Sequence, residues 1–246
     1  MTEVVGGVEG LHPGLGRLFV SIGVFDGLHV GHTYLLEQLV AEARRLAARP
    51  AVITFDAHPD EILVGSAPPL LLDPAERLER LAAAGVAVTV VQHFDDAVRR
   101  TPFDVFVAAI ADRVDLAGFL MTPDSAFGHE RRGTPDAVAA LGERLDYEVV
   151  VVPPLTVDGR PVSSSEIRRR IAGGDLSGAA ELLGRPYSVV GAVDGSGRLS
   201  FPMPVALPPA GRYVAGMSEI VIDGPEARVV GQVVPGRRTF SFADAR

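Results

Sequence analysis

The sequence predicts an α/β protein, a doubly wound parallel sheet followed by a small C-terminal antiparallel β domain, on two observations. Continuous apolar runs alternate with capped, amphipathic stretches over the first three quarters of the 246 residues, the pattern of strands buried on both faces and separated by helices. From "GRPYSVVGAV" (184–193) onward, glycine and proline recur every few positions and short β-branched runs replace helical periodicity.

Taken in order, the first strand is "RLFVSIG" (17–23). The helix after it starts near His32 and carries Leu35, Leu36, Leu39, Val40, Ala43, Leu46 and Ala47 on one stripe. "AVITF" (51–55) is the next strand, and "DPAE" opens the next helix, with Asp73 as N-cap, Pro74 at the first helical position and Glu76 where a capping box wants it. "VAVTVV" (86–91), "LAGFLMT" (116–122) and "EVVVVP" (148–153) complete the strands of the sheet; "TPFD" at 101 and "TPDA" at 134 repeat the cap-then-proline helix start. In the tail, "YSVVGAV", "EIVID" and "RVVGQVV" are the β runs. The expected domains are residues 1–186 and 187–246.

Composition removes several chemistries. The chain has no cysteine, so disulfides, thiolate metal sites and cysteine nucleophiles are excluded, which fits an intracellular protein. All 23 basic residues are arginine, which excludes a P-loop lysine, a Schiff-base lysine and a lysine general base. A net charge of -8 argues against nucleic acid as a partner. No apolar run approaches the roughly 18 residues of a bilayer span, and no charged lead with an apolar h-region stands at the N-terminus. The expectation is a cytoplasmic protein acting on small molecules, with no membrane partner.

"GVFDGLHVGH" (23–32) concentrates the chemistry. A strand ending at Ile22–Gly23, a turn through Asp26–Gly27 and a following helix put backbone N–H groups and two imidazoles at a helix N-terminus on the carboxyl edge of a sheet, which makes an anion site. Gly23, Gly27 and Gly31 let a phosphate approach the backbone. His29 and His32 then donate to charge that builds up on it. A lone histidine is as often a satisfied structural residue, and His-x-x-His with no third ligand is weak evidence for zinc; no metal-ligating set is assigned.

The string resembles the G-x-F-D-G-x-H-x-G-H signature of the nucleotidyltransferase superfamily, and within it the bacterial FAD synthetases. "TFDAHPDEIL" (54–63), "DSAFGHERRGTPDAV" (124–138) and "VSSSEIRRRIAGGDLSGAAELLGRPYSVVG" (162–191) are similar to further segments of that family, in the same order. The resemblance implies a Rossmann-like sheet of the nucleotidyltransferase type and AMP transfer from ATP to FMN, with Mg²⁺, giving FAD and pyrophosphate. It places His29, His32 and Arg168 in catalysis. Gly23, Phe25, Asp26, Gly31, Ser164 and Ser165 fall in nucleotide binding, with Asp26 shaping the turn or helping to hold the metal. Phe55, His58, Asp124 and Phe127 fall to the flavin. Ser163 and Glu166 also read as a capping box, and Arg169 and Arg170 as surface residues.

Three positions depart from the family pattern: Ala57 replaces a proline, Thr122 a glycine and Ser125 a phenylalanine. They keep two alternatives open, a related nucleotidyltransferase with another phosphorylated acceptor and a non-catalytic flavin or nucleotide binder. In the tail, "SGRLSFPMPVAL" (196–207) resembles a riboflavin kinase segment, but Met203 stands at its threonine, Val205 at its asparagine and Ser200 at its glycine. Methionine and valine offer no oxygen ligand to a hard cation. Glu226 is the only faint counterpart of that family's kinase glutamate, so the tail is expected to be short for a full barrel, degenerate and without kinase activity.

Overall fold

A computed structural model describes residues 2–216 and 218–242. The chain divides into two compact units: residues 1–25, 32–67 and 78–154 form the first, and residues 26–31, 68–77 and everything from Leu155 onward form the second.

In chain order the elements through the first unit are β1 (Glu3–Gly6), β2 (Arg17–Ile22), α1 (Val30–Arg45), β3 (Arg49–Phe55), α2 (Asp60–Leu63), α3 (Pro74–Ala83), β4 (Val88–Gln92), α4 (Asp96–Arg100), α5 (Phe103–Ala111), β5 (Asp115–Met121), α6 (Pro135–Leu145) and β6 (Glu148–Val151). The six strands form one sheet in the order β1-β4-β3-β2-β5-β6, every pair parallel. This is the doubly wound arrangement expected. Strand order reverses at β2, between β3 and β5, and such a reversal opens a crevice at the carboxyl ends of the strands.

Continuous apolar sequence makes these strands buried ones: Leu18, Phe19 and Val20 of β2 pack in the sheet's interior, as do Ala51 and Ile53 of β3. Asp73 caps α3 through the amides of Ala75 and Glu76, and Thr134 caps α6 with Pro135 behind it. Three local expectations shift. Helix α1 begins at Val30, ahead of His32, and Ala47 leaves its stripe because it is exposed and turns left-handed at φ 51°. Thr101 does not cap α5: its hydroxyl donates to the carbonyl of Ala97 in α4, and Pro102 takes the cap position. Strand β1, mostly exposed and four residues long, exists through its pairing with β4 from Glu3↔Val88 to Gly6↔Val91.

Gly118 sits where β5 shifts register against β2, at φ +148°, and a Cβ there would overlap the carbonyl oxygen of Glu148 on β6. Gly118→Ala is therefore expected to cost more than about 2 kcal/mol, by left-handed strain and by steric overlap in a packed sheet. Urea unfolding of the two proteins checks this; equal midpoints would contradict the close approach.

The second unit holds a two-strand hairpin, β7 (Thr156–Val157) and β8 (Arg160–Pro161), the helices α7 (Ser164–Ala172) and α8 (Leu176–Leu183), and six antiparallel strands: β9 (Ser188–Val193), β10 (Arg198–Ser200), β11 (Gly211–Ala215), β12 (Ser218–Asp223), β13 (Glu226–Val230) and β14 (Gly236–Ser241). Their order is β11-β12-β13-β10-β9-β14. A single bridge between Ala215 and Phe242 ties β11 to the residue just beyond β14, so the sheet curls as a half-barrel. Its interior is continuous with the helices: Ile167, Ile171, Leu182 and Leu183 share one core with Tyr187, Val189, Ile220 and Phe240. Compactness thus divides the chain after residue 154, whereas the expected domain boundary lay after residue 186, because α7 and α8 bury their apolar faces with the antiparallel sheet.

Candidate active site

The segment after β2 leaves the sheet at Gly23 and turns at Asp26–Gly27. It is unusually wound: Phe25, Gly27 and Leu28 all have positive φ, at 52°, 80° and 38°. Gly27 meets that demand without a Cβ, which would also lie 3.0 Å from Leu71. Gly31 is small for another reason, since a Cβ there would press on the His29 ring at 3.2 Å.

Within the second unit, Asp26 is the anchor of the turn. It is 3% exposed; its carboxylate accepts the Leu71 amide at 3.0 Å and the Arg168 guanidinium at 2.6 Å. Arg168 also donates from Nε to the carbonyl of Pro69 at 2.8 Å. The hydroxyl of Ser164 donates to the backbone carbonyl of Asp26 at 2.9 Å. Ser163 caps α7 through the Glu166 amide, while the Glu166 carboxylate turns away to Arg169 and Arg170, so only half of a capping box forms. Ser165 is exposed on the first turn of α7.

Sequence reading gave no role to Arg185. Its guanidinium donates to the carbonyls of Gly27 at 2.6 Å and Leu28 at 3.1 Å. His29 is buried, and burial first, then the nearby Arg185 charge, lowers its pKa to about 4. It is an uncharged imidazole at neutral pH, a hydrogen-bond donor and not a fixed cation. In the first unit, His32 lies in the first turn of α1 with its ring 5.2 Å from that of Phe25.

Both Asp26 oxygens accept from the Leu71 amide and one also from Arg168, which commits the carboxylate to shaping the turn; among the described residues no group of three His, Asp or Glu stands ready to hold a metal.

At the carboxyl ends of β2, β3 and β5 the first unit opens into a cavity of about 790 Å³. Gly23, Phe55, His58, Asp124 and Phe127 line it together, bringing all four residues expected at the flavin to one place. Phe94 completes an aromatic wall, edge-on to Phe55 with centroids 5.4 Å apart; it stands two residues past the strand end in "VVQHF" (90–94), a signal that could have found it. Asp56, at the C-terminal end of β3, is paired with His93 at 2.6 Å. Burial pushes Asp56 up, but His93 and the amides of Phe94 and Ala57 outweigh it and hold the carboxyl below its ordinary value. Thr122 and Ser125, two of the departures from the family pattern, are partners: their hydroxyls lie 2.8 Å apart and the Ser125 amide donates to the Thr122 carbonyl. One polar turn has replaced a glycine and an aromatic ring.

Fold and site together define a doubly wound α/β protein with a binding cavity at the switch point of its parallel sheet. The profile of the FAD synthetase family matches residues 13–166, and the chain belongs to that family. It is 31% identical over 191 residues to the bifunctional riboflavin kinase/FMN adenylyltransferase of Haemophilus influenzae, covering 76% of this chain and 62% of that protein. A putative bifunctional riboflavin kinase/FMN adenylyltransferase of Geobacillus thermodenitrificans is 33% identical over 169 residues, 69% of this chain and 90% of that one. The chain thus spans under two thirds of the Haemophilus relative's length. The fold is also that of a crystal structure described as a macrolide-efflux protein from Streptococcus pneumoniae, with a TM-score of 0.82 and 23% identity over 99% of this chain and 90% of that one.

Proposed function

We propose that the protein is an FMN adenylyltransferase, a nucleotidyltransferase that moves AMP from ATP to FMN. The observation that carries this reading is the cavity of about 790 Å³ at the switch point, walled by Phe55, Phe94 and Phe127 and opening beside Gly23, which leads directly into the glycine- and histidine-bearing turn. An aromatic slot suits a flavin ring, and a helix N-terminus with imidazole donors suits phosphates. The names of the Haemophilus and Geobacillus relatives agree with it.

In this reading a phosphate oxygen of FMN attacks the α-phosphorus of ATP, the bond from that phosphorus to the bridging oxygen breaks, and pyrophosphate leaves with the electron pair. The nucleophile is already an anion, so no protein base is needed. His29, neutral, and His32 donate to the charge that develops on the α-phosphate, and the first amides of α1 add their dipoles. Arg168 acts through the turn, since its fork is occupied by Asp26 and Pro69. Ser164 holds the same turn, and Ser165 faces outward for nucleotide. Asp26, engaged with Leu71 and Arg168, is assigned to holding the turn and not to a metal.

We assign residues 1–186 to transfer and residues 187–246 to a riboflavin-kinase-like remnant without kinase activity. Met203 and Val205, at the threonine and asparagine positions of the kinase segment, offer no oxygen ligand to a hard cation. Glu226 stands exposed on β13 with Arg198 at 3.8 Å. No helix among the described residues is long and apolar enough to cross a membrane; we place the protein in the cytoplasm, working on small molecules and not on nucleic acid.

The pure chain incubated with ATP, Mg²⁺ and either FMN or riboflavin is expected to yield FAD and pyrophosphate from FMN, and neither FMN nor FAD from riboflavin. Chromatography of the products decides it. Transfer to a different phosphorylated acceptor but not to FMN would point to the Thr122–Ser125 turn as the mark of another substrate, and FMN formed from riboflavin would overturn the kinase assignment.

A further inference from the structure

Resting on the adenylyl-transfer reading, we propose that Arg185 is a positioning residue for the reaction, clamping the turn that presents His29 and the first amides of α1. The turn cannot be held by its own residues. Phe25 and Leu28 are non-glycine residues at φ 52° and 38°, a conformation that persists only when surrounding contacts over-determine it. Asp26 secures one end through Leu71 and Arg168. At the other end Arg185 reaches in from the chain just beyond α8: Nη2 donates to Gly27 O at 2.6 Å, and Nη1 to Leu28 O at 3.1 Å and to Leu183 O at 3.2 Å.

Two consequences follow for chemistry. Drawing the Gly27 and Leu28 carbonyls toward a guanidinium turns the opposite sides of those peptide planes, their N–H groups, the other way. The fixed positive charge also disfavours protonation of His29, second only to burial. The other charges of the turn, Asp26 and Arg168, are engaged with each other. A planar fork bonds two carbonyls at once, and neither lysine nor glutamine reproduces both the fork and the charge.

Full-length wild type, Arg185→Lys and Arg185→Gln are compared in two measurements: an NMR titration of the His29 imidazole without substrate, and steady-state AMP transfer from ATP to FMN. Glutamine removes the charge, so the His29 pKa is expected to rise above its value of about 4 and kcat to fall about tenfold or more, the scale of small misplacements at a reacting centre. Lysine keeps a charge without the fork; the His29 titration is expected to stay near wild type while kcat still falls about tenfold. KM for FMN is expected to be unchanged in both. Wild-type kcat in Arg185→Lys would overturn the clamp, and should Arg185→Gln fail to fold that variant decides alone. A wild type that titrates as described but does not adenylylate FMN would sink the functional reading and leave the control of His29 by Arg185 to be judged from the titration.

Discussion

Replacing His29 by alanine is expected to slow AMP transfer by about a hundredfold or more, the usual cost of deleting one preorganised donor to transition-state charge, and His32→Ala is expected to do the same. The two residues reach that role differently. His29 is buried and uncharged, so in the proposed reaction it would deliver a hydrogen bond whose strength gains from a desolvated setting. His32 sits in the first turn of α1 beside the Phe25 ring, where the partial positive charge of the helix end adds to whatever it donates. Single-turnover rates at saturating ATP and FMN isolate the effect from substrate binding, and thermal unfolding of the same proteins measures how much is lost to packing. Full turnover in both variants would remove the histidines from the chemistry.

Asp26→Ala is expected to be the most destabilising single change in the turn, at about 3–5 kcal/mol, the cost of removing one partner from a buried ion pair. The side chains of Asp26 and Arg168 are only 3% and 13% exposed, so the orphaned guanidinium has little water to turn to. The Leu71 amide loses its acceptor at the same time. Asp26→Asn keeps an acceptor for Leu71 and should lose less. Arg168→Met in the Asp26→Ala background is expected to recover part of the loss, because it removes the uncompensated charge. Urea unfolding of wild type, Asp26→Ala, Arg168→Met and the double variant forms the cycle; if Asp26→Ala unfolds at the wild-type midpoint, the pair is not what holds the turn.

The parts of this site that are legible in sequence are those written in short spacing. A strand, a glycine turn and a helix within 16 residues announce themselves because period, turn chemistry and helix start agree. Asp73, Thr134 and Ser163 are readable as caps for the same reason: a cap acts on amides two or three residues away. The four cavity residues were found through their resemblance to family segments, and the parallel sheet then brought them to one edge. The resemblance places Arg168 in catalysis but does not show its partner: Asp26 lies 142 positions earlier, and nothing in local pattern reports an ion pair at that distance. Arg185 is hidden for the same reason, 157 positions from Leu28. Strand β1 was missed because an exposed four-residue edge carries neither burial nor alternation, only backbone pairing.

The interlacing of the second unit gives the chain an order of assembly. Residues 26–31 emerge early in synthesis, yet the groups that secure them, Ser164, Arg168 and Arg185, emerge more than a hundred residues later. A nascent chain that has completed all six parallel strands can pair Asp26 with the Leu71 amide but still lacks the three later anchors of its histidine turn, and loop closures of that length are the slow, late steps of folding. If the turn carries the proposed transfer, competence waits for the last third of the polypeptide. Helices α7 and α8 share a core with the antiparallel sheet, so removing the sheet would loosen the helices that grip the turn.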